Sequence, residues 1–386
     1  MERFGVSEKL ETKNKTIWIH AVSVGEVNAT KPLVDYIQNH YVGYSILITT
    51  VTPTGAFAVN ELFDDRVIHR YLPYDIPYFL NKFLNTIEPS ILIVMETEIW
   101  PALYTVCKNN TIPIALINAR LSEKSLAGYR LFPKFTKLIL SYITVIAAQS
   151  EMDATRYISL GARTDKTFIT GNLKFDVTIP DSAYEEGQSI KLKFGNRPIL
   201  LAASTHDGEE ILILNSLLKI KNKVPDILLI IAPRHPHRAS KVRKLCEKKL
   251  LRTSSYSDNS KKINNIDVFI LDTLGQLTTY YAAADIAFVG GSLVPIGGQN
   301  ILEPAILSLP IITGKHLSNF QEISSLLLNE EALLIINNPD ALSEAVINLF
   351  QDVKLRQIMG DRAKAVIEMN KGKTQKLMKL IGSMIS

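Results

Sequence analysis

The sequence is short of several things, and each shortage removes a class of protein. It has two cysteines, Cys107 and Cys246, far apart and outside any CxxC or Cys/His cluster. A disulfide framework and a structural zinc are therefore not expected, and a reducing compartment is. No apolar run approaches the roughly 18 residues needed to cross a bilayer. Residues 1–8 carry charge where a secretory signal would have its apolar core. The expectation is a cytosolic chain. No segment is low in complexity, and no short repeat is evident. The formal net charge of +5 is mild and is not gathered into a block. Nucleic acid is thus not expected as a partner, while phosphates or an anionic membrane surface remain open. No group of side chains has metal-ligand spacing, so neither a metal nor a cofactor is expected.

What is present is alternation. The 386 residues are 46% hydrophobic, enough apolar material for two buried cores. Short apolar runs of strand length alternate with amphipathic stretches of helix length. In the first half the strand-like runs are 16–22, 45–50, 69–72, 91–95, 114–117 and 145–148, with helical patterns such as 28–38 and 78–86 between them. The pattern breaks over 177–197, a polar stretch with Pro180, Glu185, Glu186, Gly187 and Gly195, which reads as a linker. It resumes with runs at 199–203, 227–232, 268–271, 286–289, 310–313 and 333–336, and 340–386 is mostly helical. Apolar strands separated by helices predict parallel sheets covered on both faces. The expected architecture is α/β, with two doubly wound Rossmann-like domains, 1–176 and 198–386, facing an interdomain cleft. The second domain carries a C-terminal helical tail.

In doubly wound sheets ligands bind beyond the carboxyl ends of the strands, so chemistry is sought there. HAVSVGE at 20–26 follows the first strand and opens a helix. Gly25 permits a tight turn. Glu26 in a first helical turn is favoured as a carboxylate, and facing a cleft it could take a proton from a sugar hydroxyl. It could equally be an ordinary first-turn carboxylate. TPTG at 52–55 puts hydroxyls and a glycine before a helix, which suits a phosphate, a sugar or a plain cap. ETEIWP at 96–101 places Glu96 and Glu98 directly after a strand, and Arg120 follows the next. Ser23, Gly25, Thr54, Glu98 and Arg120 are candidate contacts to substrate. Lys174, in GNLKFD at 171–176, either stabilises developing negative charge or is a surface lysine. In the second half AASTH (202–206), PRHP (233–236), DTLG (272–275), GGSLV (290–294) and NILEP (300–304) follow successive strands. Together they point to a nucleotide site, with Glu303 suited to a ribose diol.

These motifs, in this order, resemble the Kdo transferases of lipopolysaccharide synthesis, which move the eight-carbon acidic sugar Kdo. The likeness runs from RFG at 3–5 through YLPYD, NARLS, AQS and FVGGSLV to about 320, followed by a similar helical tail. It implies a two-domain GT-B glycosyltransferase that takes Kdo from CMP-Kdo with inversion and without a metal. The acceptor would be a phosphorylated glycolipid, the tetraacyl lipid A precursor, bound to the N-terminal domain. CMP-Kdo would bind the C-terminal one. Carried over by motif, Glu26 would be the general base, with Glu96 and Lys174 as transition-state stabilisers. Pro233, Arg234, Leu274, Gly275, Gln276, Asn300, Ile301, Leu302 and Glu303 would line the CMP site. Three positions depart from the family pattern: Gln276 stands where Glu is usual, His237 where PRHPER has Glu, and Gln299 where GGHN has His. Relatives usually carry an apolar anchor before the ERFG run, which here occupies 2–5. The expected location is the cytoplasmic face of the inner membrane, at its surface.

Single-step inverting transfer needs one base rather than a hydrolase's pair of carboxylates. The phosphate of CMP can leave unprotonated if cations and helix N–H groups hold it. Lys31, Arg120, Lys124, Arg130, Lys134 and Lys137 could meet acceptor phosphates, or be solvated charges. The mixed apolar and basic stretch 131–140 is expected to be a core-facing amphipathic helix rather than an interfacial one. Two rivals are a UDP-sugar transferase or epimerase of the same fold and a two-lobed solute-binding protein. The HAVSVGE and NLKFD runs weigh against the first, and the lack of an export signal against the second.

Overall fold

The structure is a computed structural model that describes residues 1–9, 14–258 and 265–385. The chain divides into two compact units, one of 1–176 together with 370–386 and one of 177–369.

The strands of the first unit are β1 (Lys15–His20), β2 (Tyr44–Thr50), β3 (Ile68–Tyr71), β4 (Pro89–Met95), β5 (Ile114–Ala119), β6 (Val145–Ala148) and β7 (Thr167–Ile169). They form one parallel sheet in the order β3-β2-β1-β4-β5-β6-β7. Its helices are α1 (Val24–Ala29), α2 (Lys31–His40), α3 (Pro53–Phe63), α4 (Pro77–Ile87), α5 (Pro101–Asn109), α6 (Glu123–Arg130), α7 (Pro133–Ser141) and α8 (Glu151–Ser159). Successive side chains of a strand point to opposite faces. Accordingly Ile17, Ile19, Ile46, Ile48, Ile91 and Ile93 fill one core, while Trp18, Leu47, Leu92 and Val94 fill the other. Burial on both faces is why these strands read as unbroken apolar runs.

The helical pattern expected over 28–38 is two helices. α1 ends at Ala29 and α2 starts at Lys31 with a proline in its first turn. Pro32 has no N–H to continue the α1 ladder, but its fixed φ suits a new first turn.

The second unit has β8 (Ile199–Thr205), β9 (Leu228–Pro233), β10 (Thr253–Ser255), β11 (Val268–Ile270), β12 (Ile286–Val289), β13 (Ile311–Thr313) and β14 (Leu333–Ile335). They are parallel, in the order β10-β11-β9-β8-β12-β13-β14. Its helices are α9 (Asp181–Lys193), α10 (Glu209–Lys221), α11 (Ala239–Lys248), α12 (Leu277–Ala283), α13 (Leu302–Ile306), α14 (Gln321–Asn329), α15 (Pro339–Gln351) and α16 (Val353–Met369). The strand order reverses between β1 and β4 in the first sheet and between β8 and β12 in the second. Such switch points open a crevice at the strand ends.

Two expectations about the chain path are corrected. The stretch 177–197, read as a linker, contains the thirteen-residue helix α9 and belongs to the second unit. Only Ala183 and Gly187 of α9 are buried, so it shows no apolar stripe in sequence. Gly187 is there for proximity: a Cβ on it would lie 2.5 Å from Ala282 Cβ of α12. The C-terminal tail is also divided. α16 stays with the second unit, whereas α17 (Lys373–Ile381) belongs to the first and adds Leu377, Met378 and Ile381 to its core. Asp176 fixes this return: its Oδ1 accepts the N–H groups of Gly372 (2.7 Å) and Lys373 (3.2 Å), and its Oδ2 that of Thr374 (2.5 Å). The carboxylate thereby caps the open N-terminus of α17 from far away in sequence.

Candidate active site

At the β1/β4 switch of the first unit three carboxylates converge. Glu26 lies in the first turn of α1 and is buried. Its Oε2 accepts the Val22 N–H (2.9 Å) and its Oε1 the Ser23 hydroxyl (2.9 Å), while Ser23 Oγ accepts the Glu26 N–H (3.3 Å) and caps the helix. The side chain is thus pinned by its own helix start, in the manner of a capping box. Burial pushes its carboxyl up to about 7; the Val22 N–H opposes this, and the charges of Glu96 and Glu98 add to it. The first-turn position expected from sequence is thus the observed one, and the carboxyl there is raised toward neutral pH.

Glu96 ends β4 in a left-handed conformation, φ 54°. Backbone strain in a non-glycine residue persists only where the surroundings impose it. Here the Glu96 N–H donates to Ile117 O (2.9 Å), and the carboxylate pairs with Lys174 Nζ at 3.0 Å in a largely buried setting. Glu98 is half-buried; burial raises its carboxyl, and the charge of Glu96 adds to this.

Lys174 is held from both sides. Its neighbours Leu173 and Phe175 are buried anchors. The Leu173 N–H donates to Asn118 Oδ1 (3.0 Å), and the Lys174 N–H to Asn172 Oδ1 (3.1 Å). Asn118 is itself buried at the end of β5 with φ 48°. Sequence reasoning passed over Asn118 as a supporting residue. An asparagine at a strand end, which tolerates left-handed backbone better than most residues with a side chain, was the signal available.

The other acceptor-side candidates are more peripheral. Ser23 and Gly25, just before Glu26, are exposed. Thr54 is exposed and donates to Thr52 Oγ1, the cap of α3. Arg120 is exposed and pairs with no carboxylate among the described residues, while its carbonyl accepts from Thr97 Oγ1 (3.0 Å). His20, one turn of chain before Glu26, is fully buried. Its Nδ1 bonds Thr49, and burial drives it down to about 4, so it stays neutral at ordinary pH.

In the second unit the candidate nucleotide residues gather at the ends of β9, β11 and β12. The Arg234 N–H donates to Thr205 O (3.0 Å), which ties Pro233 and Arg234 to the end of β8. Thr278 Oγ1 donates to Glu303 Oε2 and Asn300 Nδ2 to Glu303 Oε1, both 2.9 Å, joining the 274–278 and 300–303 runs. Asn300 Oδ1 accepts the Leu302 N–H (3.0 Å), and burial raises the Glu303 carboxyl. Gly275 has φ 78° and precedes Gln276, the N-cap of α12. Ile301 and Leu302 are buried beneath. Of the departures from the family pattern, Gln299 Nε2 lies 3.0 Å from His206 Nε2, and His237 stacks on His235.

Glu209, part of the polar strand-end run at 203–210, turns inward. Fully buried, it accepts the N–H groups of His206 (2.8 Å), Gly291 (2.7 Å), Ser292 (3.1 Å) and Leu293 (2.9 Å). It clasps the ends of β8 and β12 across the switch point. Gly290 is required beside it, because a Cβ there would come within 2.6 Å of Ser204 O. Among the described residues no group of three or more His, Cys, Asp or Glu side chains is arranged to hold a metal ion. No helix among them is long and apolar enough to cross a membrane.

Residues 1–177 match the family model described as 3-Deoxy-D-manno-octulosonic-acid transferase (kdotransferase). A 3-deoxy-D-manno-octulosonic acid transferase of Haemophilus influenzae is 41% identical over 367 residues, covering 95% of this chain and 86% of that protein. The chain belongs to the Kdo transferase family. A Kdo transferase of Bordetella pertussis is 31% identical, with 93% and 85% of the two chains covered. A solved glycosyltransferase from Rickettsia africae superposes with a TM-score of 0.63 at 16% identity, covering 97% of this chain and 99% of that one. That likeness concerns the fold, which is GT-B with two doubly wound units. Within a Kdo transferase, both the acid cluster of the first unit and the glycine- and hydroxyl-rich edge of the second fall at strand ends.

Proposed function

We propose that this glycosyltransferase moves Kdo from CMP-Kdo onto the tetraacyl lipid A precursor at the cytoplasmic face of the inner membrane, in one inverting step that needs no metal. The acceptor hydroxyl loses its proton to Glu26 as its oxygen attacks C2 of Kdo. The bond from C2 to the phosphate oxygen breaks, and CMP leaves with the electron pair. A base titrating near the working pH is the efficient kind, and such help is worth about 10²–10⁴-fold. The Lys174 ammonium, paired with Glu96, would meet the Kdo carboxylate or the charge that develops beside it. Pro233, Arg234, Leu274, Gly275, Gln276 and Asn300–Glu303 would hold CMP, with Arg234 toward the phosphate and Glu303 toward the ribose.

The observation that carries this reading is the Glu26 carboxyl at about 7 within a cluster that also holds the Glu96–Lys174 pair, in a chain of this family. The test is transfer from CMP-Kdo to the tetraacyl precursor in EDTA, comparing the parent with Glu26→Gln. Product from the parent and a loss of about 10²-fold or more in the variant, with CMP affinity unchanged, is expected. Equal rates would remove Glu26 as the base, and dependence on added divalent ion would remove the metal-free step.

A further inference from the structure

The stretch 131–140, expected as a core-facing amphipathic helix, has such a side in α7, but apolar side chains lie outside that side as well. Thr136, Ile139 and Leu140 face inward, but Leu131, Phe132, Phe135 and Leu138 are 74%, 67%, 52% and 49% exposed. Between the α6–α7 hairpin and the start of α5 lies a cavity of about 450 Å³ lined by Ile99, Gly128, Tyr129, Phe132, Phe135 and Ile139. Its volume is in the range of small-molecule sites. Its two small hydroxyls are already engaged: Thr136 Oγ1 donates to Tyr129 O (2.9 Å), and Ser125 Oγ bonds Ser122 Oγ (2.9 Å). The cavity therefore offers an occupant apolar contact and little else.

Two further observations select the occupant. Ile99 and Pro101, on the cavity wall, belong to the run that carries Glu96 and Glu98. Burial raises the Tyr129 phenol, and the nearby Glu98 charge adds to it. The cavity thus adjoins the acid cluster. The hairpin also carries exposed Lys124, Arg130, Lys134 and Lys137. None of them pairs with a carboxylate among the described residues, and Glu123, the hairpin's acid, is taken by Arg156 (3.1 Å). An apolar cavity on a hairpin that carries exposed cations, beside a cluster of carboxylates, complements an anionic amphiphile: tail in the cavity, phosphate among the cations, hydroxyl toward the carboxylates.

We propose that this cavity holds one acyl chain of the phosphorylated glycolipid acceptor, which makes Gly128, Phe132 and Phe135 determinants of acceptor chain length. The assignment rests on the acceptor named under Proposed function.

Gly128 supplies the test. It is helical, and a Cβ on it meets nothing within 4 Å, so Gly128→Leu improves helix propensity while filling the cavity. The probe is a fluorophore-bearing long-chain alkyl phosphate, with a short-chain alkyl phosphate and inorganic phosphate as controls. The parent is expected to bind the long-chain probe alone, and Gly128→Leu to bind it at least about tenfold more weakly with an unchanged melting temperature. In transfer assays the variant's KM for the acylated acceptor should rise while its CMP-Kdo affinity stays constant. Equal probe binding by parent and variant would overturn the proposal. So would a variant that binds the probe normally but loses affinity for anionic phospholipid vesicles, because the hairpin would then be a bilayer-facing surface. Chain-dependent probe binding without any Kdo transfer would instead refute the acceptor named above and leave the cavity an acyl site.

Discussion

At the scale of single residues, Glu26 as the proposed base should tie activity and stability to pH in opposite senses. Its carboxyl rises from 4.5 to about 7 on burial. Only the ionised form accepts a proton, so kcat/KM should climb with pH and level off above about 7, and a pH–rate profile reads this directly. Stability runs the other way. The folded protein binds this proton more tightly than the unfolded chain, so the group's contribution is fully present below 4.5 and is lost as pH rises through about 7. The full gap corresponds to roughly 3 kcal/mol. Glu26→Gln, neutral at every pH, should match the parent at pH 4 and be more stable by up to about that amount at pH 8, as chemical denaturation would measure. Identical stabilities at both ends would mean that the carboxylate is solvated after all. Glu96 stood out in sequence because it directly follows the apolar run of β4, whereas Glu26 and Lys174 lie several residues beyond β1 and β7 and were singled out through the HAVSVGE and GNLKFD runs. Asn118 and Glu209 were not legible as supports, because their partners lie 55 and 82–84 residues away.

At the scale of elements, strands that carry an apolar run were readable even where they are only partly buried, as β3 and β14 are, and strands without one were not. β7 is mostly exposed, and β10 is a three-residue edge strand of Thr, Ser and Ser; neither leaves an apolar run. α9 escaped notice because it packs through backbone proximity rather than an apolar stripe. Its interface gives a sharp expectation. Gly187→Ala places a methyl 2.5 Å from Ala282 Cβ, so despite alanine's better helix propensity it should destabilise the second unit by about 1–3 kcal/mol. A melting temperature at or above that of the parent would show that α9 can shift outward at little cost.

At the scale of the whole molecule, the first unit is discontinuous in sequence. Leu377, Met378, Ile381 and Ile385 are buried in its core, and each contributes about 1.5–3 kcal/mol. Their sum rivals the roughly 5–15 kcal/mol that keeps a domain folded. A chain cut after Met369 should therefore keep 177–369 resistant to protease while 1–176 is digested. Survival of 1–176 as a folded fragment would show that the unit stands without α17. The carboxylate of Asp176, which receives that helix, is the last residue of the GNLKFD run that also positions Lys174. The two roles meet in one four-residue turn, Leu173–Asp176.

This closure by the last helix also sets a clock on the protein's birth. Residues 1–176 leave the ribosome first, yet their core lacks one wall until 370–386 has been made. At about 5–20 residues per second, the second unit is synthesised during a wait of roughly 10–40 s, and it can fold in that time. Until then Leu33, Val34 and Ile37 of α2 lie on a core that α17 has yet to complete. The order of synthesis is the reverse of the order of completion.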